Sequence, residues 1–225
     1  MTVADIQAQS ENWNLRVIGH HDLNGHGDGM QLLKQGRYVY LAHLGTSAMA
    51  LSIIDVADPT APHVVTQMPH APNTHAHKVQ IVGDVLIQNQ ERPYFDKSLP
   101  ASVPNEAGIK VYSIEKPTEP REIGYLKLPG KGVHRMWFTD GKYAHVGAML
   151  PGIKERAYLI ADLSDPTNPK EAGRWWIPGT KEGEETPPDW TPFSGEHFHV
   201  HGAIPHGDRS YVALVDAGMA IVDIS

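Results

Sequence analysis

Apolar and polar residues alternate along most of this chain in short runs. HKVQIV and VLIQNQ flank Gly83-Asp84, and HRMWFT and YAHVGA flank Asp140-Gly141. A period of two marks half-buried β-strands, and such dipeptides mark tight hairpin turns. One motif recurs in phase: SIIDVADPTAP (52–62), KVYSIEKPTEP (110–120), YLIADLSDPTNP (158–169) and MAIVDIS (219–225). Each copy is an apolar strand, an acidic or small polar residue, and then a Pro-x-x-Pro turn. The fourth copy stops before its prolines, as a piece of a longer protein would.

These runs predict four strands per unit. After Pro-x-x-Pro comes an outer strand (HVVTQM, REIGYLKL, KEAGRWWI), then an inner strand headed by histidine, a third strand, and the repeat strand. Antiparallel four-stranded units at this spacing describe an all-β fold, a β-propeller of four-stranded blades. Four units are visible, roughly 12–58, 59–117, 118–166 and 167–225, behind an N-terminal tail of 1–11. They form a four-bladed ring or part of a larger one. Residues 12–20, NWNLRVIGH, match an outer strand, so this segment is expected to complete the last blade and close the ring.

Composition narrows the function. There are 21 glycines, 18 prolines and no cysteine in 225 residues, which removes disulfides, zinc ribbons, iron–sulfur clusters and thiol nucleophiles. A net charge of −7 without a basic cluster argues against nucleic-acid and anionic-membrane partners. No apolar run approaches the roughly 18 residues of a membrane span. The N-terminus has no basic, apolar leader, so a cytoplasmic location is expected. No G-x-S-x-G elbow, P-loop or dinucleotide fingerprint is present.

The repeat strand, closest in AIVDIS (220–225) and SIIDVADPTAP (52–62), resembles that of the LVIVD-repeat β-propeller family; KVYSIEKPTEP replaces the aspartate. The resemblance spans 12–225 and implies the fold more than a function. Its motif residues (Ile53, Ile54, Asp55; Leu159, Ile160, Asp162; Ile221, Val222, Asp223) are expected to be structural, with the aspartates bonding local backbone amides. Carotenoid-cleaving oxygenases hold iron on a propeller axis with four histidines. Selenium-binding proteins, related to methanethiol oxidase, are histidine-rich propellers linked to copper. Neither group's signature motif occurs here, so the analogy implies only that such a site is feasible.

The chain has 14 histidines, and three share one repeat phase. His77, His134 and His201 head the inner strands in THAHKVQIVGD (74–84), GKGVHRMWFTDG (130–141) and HFHVHGAIPHGD (197–208). Inner strands line the channel, so these three are expected to meet at one mouth. The first unit places Asp28 there, with His26 two residues earlier. His75 and His199 likewise stand two residues before His77 and His201, on the same strand face. Imidazoles with an open position suit a divalent transition metal, iron or copper first, or zinc.

The exits of the third strands place His43, Glu91 and Asp216 at the same mouth, as general bases or groups that orient the ligands. Long connections, 92–107 and 178–195, also emerge there, and Tyr94, Phe95, Trp190 and Phe193 are candidates for an apolar cover. His20, His21, His63, His70, His145 and His206 are out of phase and read as surface or packing residues. The expected function is a metal-dependent oxidoreductase or oxygenase acting on a small organic molecule. A metal-assisted hydrolase or lyase, or a non-catalytic scaffold for a protein or peptide, are the alternatives.

Overall fold

The structure is a computed structural model, which describes residues 2–9, 13–45, 48–93, 96, 98–100, 102–185 and 198–225. Tyr94, Phe95, Trp190 and Phe193 lie outside the described residues. Four antiparallel sheets follow one another in chain order. The first holds β1 (Gly29–Gln35), β2 (Tyr38–His43), β3 (Met49–Asp55) and β4 (His63–Pro69). The second holds β5 (Val79–Val82), β6 (Val85–Gln90), β7 (Gly108–Ser113) and β8 (Arg121–Lys127). In the third are β9 (Gly132–Phe138), β10 (Tyr143–Met149), β11 (Ala157–Asp162) and β12 (Lys170–Trp175). The fourth has three strands: β13 (Phe198–His206), β14 (Arg209–Val215) and β15 (Met219–Asp223). These sheets are the expected blades of a β-propeller, four of them among the described residues.

Blades and sequence units differ in phase. Each outer strand pairs with the repeat strand before it, as in Ile53↔Thr66 and Val111↔Gly124. A Pro-x-x-Pro turn is too short to carry the chain to another sheet, so the strand after it folds back on the strand before it. Each blade therefore begins with its inner strand. The repeat aspartates stabilise the turns as expected: Asp55, Asp162 and Asp223 accept from the backbone N–H of Ala57, Ser164 and Ser225 at 2.9, 2.8 and 3.0 Å. Arg37 adds a side-chain ion pair to Asp55.

The core is made between blades. Tyr40, Leu51 and Ile53 of the first blade meet Val79, Leu86 and Tyr112 of the second. Ile87, Ile109 and Val111 meet Val133, Met136 and Val146 of the third. Tyr158 and Ile177 meet Val200, Val212 and Leu214 of the fourth. Leu86 and Ile87 are neighbours in sequence but face opposite blades, as the strand period requires. Each such buried side chain contributes about 1.5–3 kcal/mol. Inner strands pack in succession, β1 on β5, β5 on β9 and β9 on β13, so their first residues share one end of the axis.

The expected ring closure by residues 12–20 is not formed. Among the described residues β15 pairs only with β14, and 15–22 form no strand. That segment nevertheless lies where an outer strand belongs. A Cβ on Gly19 would meet Pro59 O at 2.0 Å and Pro62 Cδ at 3.1 Å; one on Gly124 of β8 would meet Pro166 O at 2.2 Å and Pro169 Cδ at 3.1 Å. Both glycines pass over the Pro-x-x-Pro turn of the blade that follows. The expected tail carries a short helix, α1 (Val3–Gln9), whose Gln7 Nε2 donates to Val17 O at 2.7 Å. On the fourth blade Ile204, Tyr211, Val215, Met219 and Ile221 are exposed. In the three preceding blades the corresponding face is covered by the next blade.

Candidate metal centre

Residues just before β5, the extension of β6 and the start of β9 converge at one end of the axis. Glu91 continues β6 beyond Gln90. Its backbone exchanges two hydrogen bonds with His75 (2.8 and 3.1 Å) and forms an isolated bridge to Gly132. Two glycines permit this approach. Gly132 has φ +106°, and a Cβ there would lie 2.1 Å from Gln90 O. At Gly45, with φ +95°, a Cβ would lie 2.5 Å from His75 Cβ. Neither position accepts a side chain without moving a ligand candidate.

The group centres on one carboxylate oxygen. Glu91 Oε2 lies 2.8 Å from His75 Nε2, 3.0 Å from His134 Nδ1 and 4.0 Å from His77 Nδ1. One ligand atom from each of His75, His77 and Glu91 lies within 4.8 Å of the others. His75 and Glu91 are 0% exposed and His77 is 1% exposed. A carboxylate only accepts, so His75 Nε2 and His134 Nδ1 donate to it. Burial pushes the Glu91 carboxyl up, but the hydrogen bonds from His134 and His75 outweigh burial and hold it below its usual range.

The surroundings prepare the histidines differently. His75 Nδ1 donates to Leu44 O at 2.9 Å, which fixes the ring and turns Nε2 toward the group. A backbone carbonyl on the remote nitrogen is the usual support of a metal-bound imidazole. The Asn89 amide is oriented by Lys78 N, which donates to Oδ1 at 2.8 Å, and by Val133 O, which accepts from Nδ2 at 2.7 Å. Its other N–H reaches His77 Nδ1 at 3.2 Å. Among the described residues, His77 Nε2 and Glu91 Oε1 are buried without a hydrogen-bond partner. Burial first, and then His75, holds the His77 imidazole far below its ordinary range.

The in-phase triad is only partly gathered. The His77 and His134 rings lie 5.1 Å apart and those of His134 and His201 5.5 Å apart, a row along the inner strands. His75 stacks on His77 at 4.3 Å. His201 is not in the ligand group: its Nε2 accepts from Arg135 Nε at 3.4 Å. Burial first, then Arg135, lowers its pKa to about 4. His199 Nε2 accepts from Arg156 at 2.7 Å, and its Nδ1 lies 3.5 Å from Glu155. Of the expected set, the geometry gathers His75 and His77 with Glu91, and His134 adjoins them. Blades spread the inner strands apart, whereas the extension of β6 lies between two of them.

The remaining candidates lie elsewhere. Asp28 accepts from His43 Nδ1 at 2.7 Å and from Gly45 N at 3.1 Å. His43 Nε2 pairs with Ser52 Oγ at 2.7 Å, and His43 and Ser52 are both 0% exposed. Both His43 nitrogens are thereby engaged in an Asp–His–Ser chain whose histidine and serine are closed to solvent. His26 bounds the 3₁₀ turn Leu23–Gly25 and belongs to no ligand group among the described residues. Asp216 is in the exposed turn between β14 and β15. Glu91, expected to act beside the metal, stands at the centre.

A cavity of about 390 Å³ adjoins the group, lined by His134, Arg156, His199, His201, Ala213 and Val215. Arg156 NH2 lies 3.9 Å from Glu91 Oε1, linking the cavity to the carboxylate. Arg156 and Asn89 carried no sequence signal, since neither shares a repeat phase with the histidines.

Fold and site together define a β-propeller with a buried histidine–glutamate cluster on its inner strands. The LVIVD repeat model matches residues 26–68, 140–176 and 206–225, so the chain carries LVIVD repeats in these segments. His75, His77, Glu91 and His134 all lie in the interval 69–139 that the model leaves unmatched. No curated protein matches the chain in sequence. Among solved structures, the computationally designed Ika4 protein aligns with a TM-score of 0.54 at 9% identity, over 96% of this chain and 100% of that one. The β-1,2-mannobiose phosphorylase from Listeria innocua, in complex with β-1,2-mannobiose, aligns at 0.42 and 16% identity, over 86% and 57%. The first likeness concerns the fold alone, and the second is too distant to support an argument.

Proposed function

We propose that this propeller holds a divalent transition metal through His75, His77 and Glu91, with His134 beside them, and is a metal-dependent oxidoreductase acting on a small organic molecule. The observation that carries this reading is the convergence of three imidazoles on one buried carboxylate oxygen, with the second oxygen, Glu91 Oε1, making no hydrogen bond among the described residues. Buried polar atoms without partners are rare and costly in native proteins. Two histidines, one carboxylate and open positions form the donor set of non-haem iron oxygenases; the same set with zinc serves hydrolases.

His75 is the best-prepared ligand, since Leu44 O holds its Nδ1–H while Nε2 exchanges a proton for the ion. His77 would hold the ion through Nδ1, the nitrogen now 3.2 Å from Asn89 Nδ2, which would keep its bond to Val133 O. The metal supplies a Lewis-acidic or redox-active position beside the cavity. Arg156 and His199 bind and orient substrate in the cavity, and Ala213 and Val215 make one wall of it apolar. The metal-assisted hydrolase reading rests on the same donors and is separated by the metal found.

The test is elemental analysis of untagged protein purified without chelator, beside the His75→Ala/Glu91→Ala double variant and the His201→Ala variant. Near-stoichiometric iron or copper in wild type and His201→Ala, lost in the double variant with the fold intact by circular dichroism, is expected. Zinc would select the hydrolase reading. Protein that stays empty after reconstitution with each ion would overturn both.

A further inference from the structure

A second cavity, of about 330 Å³, runs along the same inner strands, lined among others by Gln31, Lys78, Gln80, Arg135, Trp137 and His201. Its polar wall is made of donors. Lys78 is 4% exposed and forms no ion pair among the described residues. Glu91, the carboxylate whose charge acts on Lys78, is already engaged by His75 and His134. Arg135 Nε is turned toward His201, and its guanidinium likewise meets no carboxylate among the described residues. Gln31 Oε1 accepts from Val79 N at 3.0 Å, and Gln80 Oε1 accepts from Phe138 N at 3.5 Å. With both oxygens taken by backbone, each glutamine presents its NH2 end onward.

Four donor groups, two of them cationic, therefore face one cavity in a protein of net charge −7. A buried ammonium without a counter-charge is costly, and the planar guanidinium fork suits two oxygens of one anion. We propose that this cavity binds a small oxyanion, a carboxylate or phosphate group, between Lys78 Nζ and the Arg135 guanidinium, with the Gln31 and Gln80 amides as further donors. Its volume admits a small molecule and no polymer. None of the proposed metal ligands lines this cavity, and oxyanion binding here does not depend on metal content.

The experiment is calorimetric titration of the protein with inorganic phosphate in one arm and succinate in the other, at constant ionic strength. Lys78→Met, Arg135→Gln and Lys116→Met are measured alongside. Saturable binding in at least one arm is expected, and the arm that binds identifies the oxyanion. Lys78→Met and Arg135→Gln should each weaken it by roughly tenfold or more. Lys116, exposed on a turn, is the control and should leave it unchanged. Should Lys78→Met fail to fold, Arg135→Gln decides, because Arg135 is half-buried. No saturable binding in either arm, or binding that Arg135→Gln leaves unchanged, would overturn the proposal.

Discussion

Replacing Glu91 by glutamine isolates the charge at the centre of the cluster from its shape. The glutamine carbonyl can stand where Oε2 stands and accept from His75 Nε2 and His134 Nδ1, now 2.8 and 3.0 Å away. Both hydrogen bonds survive but lose their ionic acceptor. Hydrogen bonds to charged groups contribute about 1.5–3 kcal/mol and neutral ones about 0.5–1.5, so the pair loses on the order of 2–3 kcal/mol. The amide nitrogen takes the place of Oε1, 3.9 Å from Arg156, and sets donor against donor. Against this, a buried amide is cheaper to desolvate than a carboxylate. The net loss should be roughly 1–3 kcal/mol. Glu91→Ala also removes the acceptor, leaving two buried histidine N–H groups unanswered, and should cost about 3–5 kcal/mol.

Urea unfolding of metal-free protein at neutral pH reads this order directly: wild type, then Glu91→Gln, then Glu91→Ala. Adding the ion found by elemental analysis should widen the gap, since an amide is a poor substitute for a carboxylate ligand. At least a 10–100-fold fall in metal affinity is expected, the range seen even for groups that only support a ligand. A glutamine variant as stable as wild type, with metal affinity intact, would refute the reasoning: the carboxylate would then be neither ligand nor hub.

Three further outcomes follow from the same geometry. Ser52→Ala removes the partner of buried His43 Nε2 and should destabilise by about 1–3 kcal/mol in thermal or urea unfolding, with metal content unchanged; lost metal at full stability would instead give His43 a role in the site. Gly132→Ala places a Cβ 2.1 Å from Gln90 O at φ +106° and should cost more than about 1 kcal/mol while displacing Glu91, read as reduced metal uptake by folded protein. The Arg37 hydrogen bond, followed by the Ala57 N–H, holds the Asp55 carboxyl below its ordinary 3.8. That stabilisation is complete above the ordinary value and fades as pH falls through the lowered one, so Arg37→Met should show a flatter loss of stability on acidification.

Strand alternation and the recurring Pro-x-x-Pro turn made nearly every strand legible, because both are local: one reports which face is buried, the other where the chain must reverse. The blade phase was less so. Which neighbour an outer strand joins depends on the length of the turn before it, and the short Pro-x-x-Pro turn returns HVVTQM to the unit before it. At the site, repeat phase brought His77, His134 and His201 to one end of the axis. It could not report that blades diverge, so that His201 stands apart from the group. Glu91 was visible as the exit of a third strand. Its central place depends on the close approaches at Gly45 and Gly132, which leave no periodic signal.

The distribution of the repeat along the chain bears on how such a site is made. The LVIVD repeat is recognisable in the first, third and fourth blades and fades between 69 and 139, where all four ligand candidates lie. In this interval the repeat strand KVYSIEKPTEP also lacks the aspartate that closes the turn in the other copies. The repeated positions hold strands, turns and the apolar faces between blades, and each works in every unit because its neighbours are the same. The centre proposed here sets one carboxylate among several imidazoles, which identical units cannot supply. It has to be built where the units differ, on a framework kept rigid by blades on both sides. On this argument, exchanging segment 69–91 for its equivalent from another unit should preserve the strand content seen by circular dichroism and abolish metal binding. Metal retained by such a chimaera would locate the ligands outside that interval.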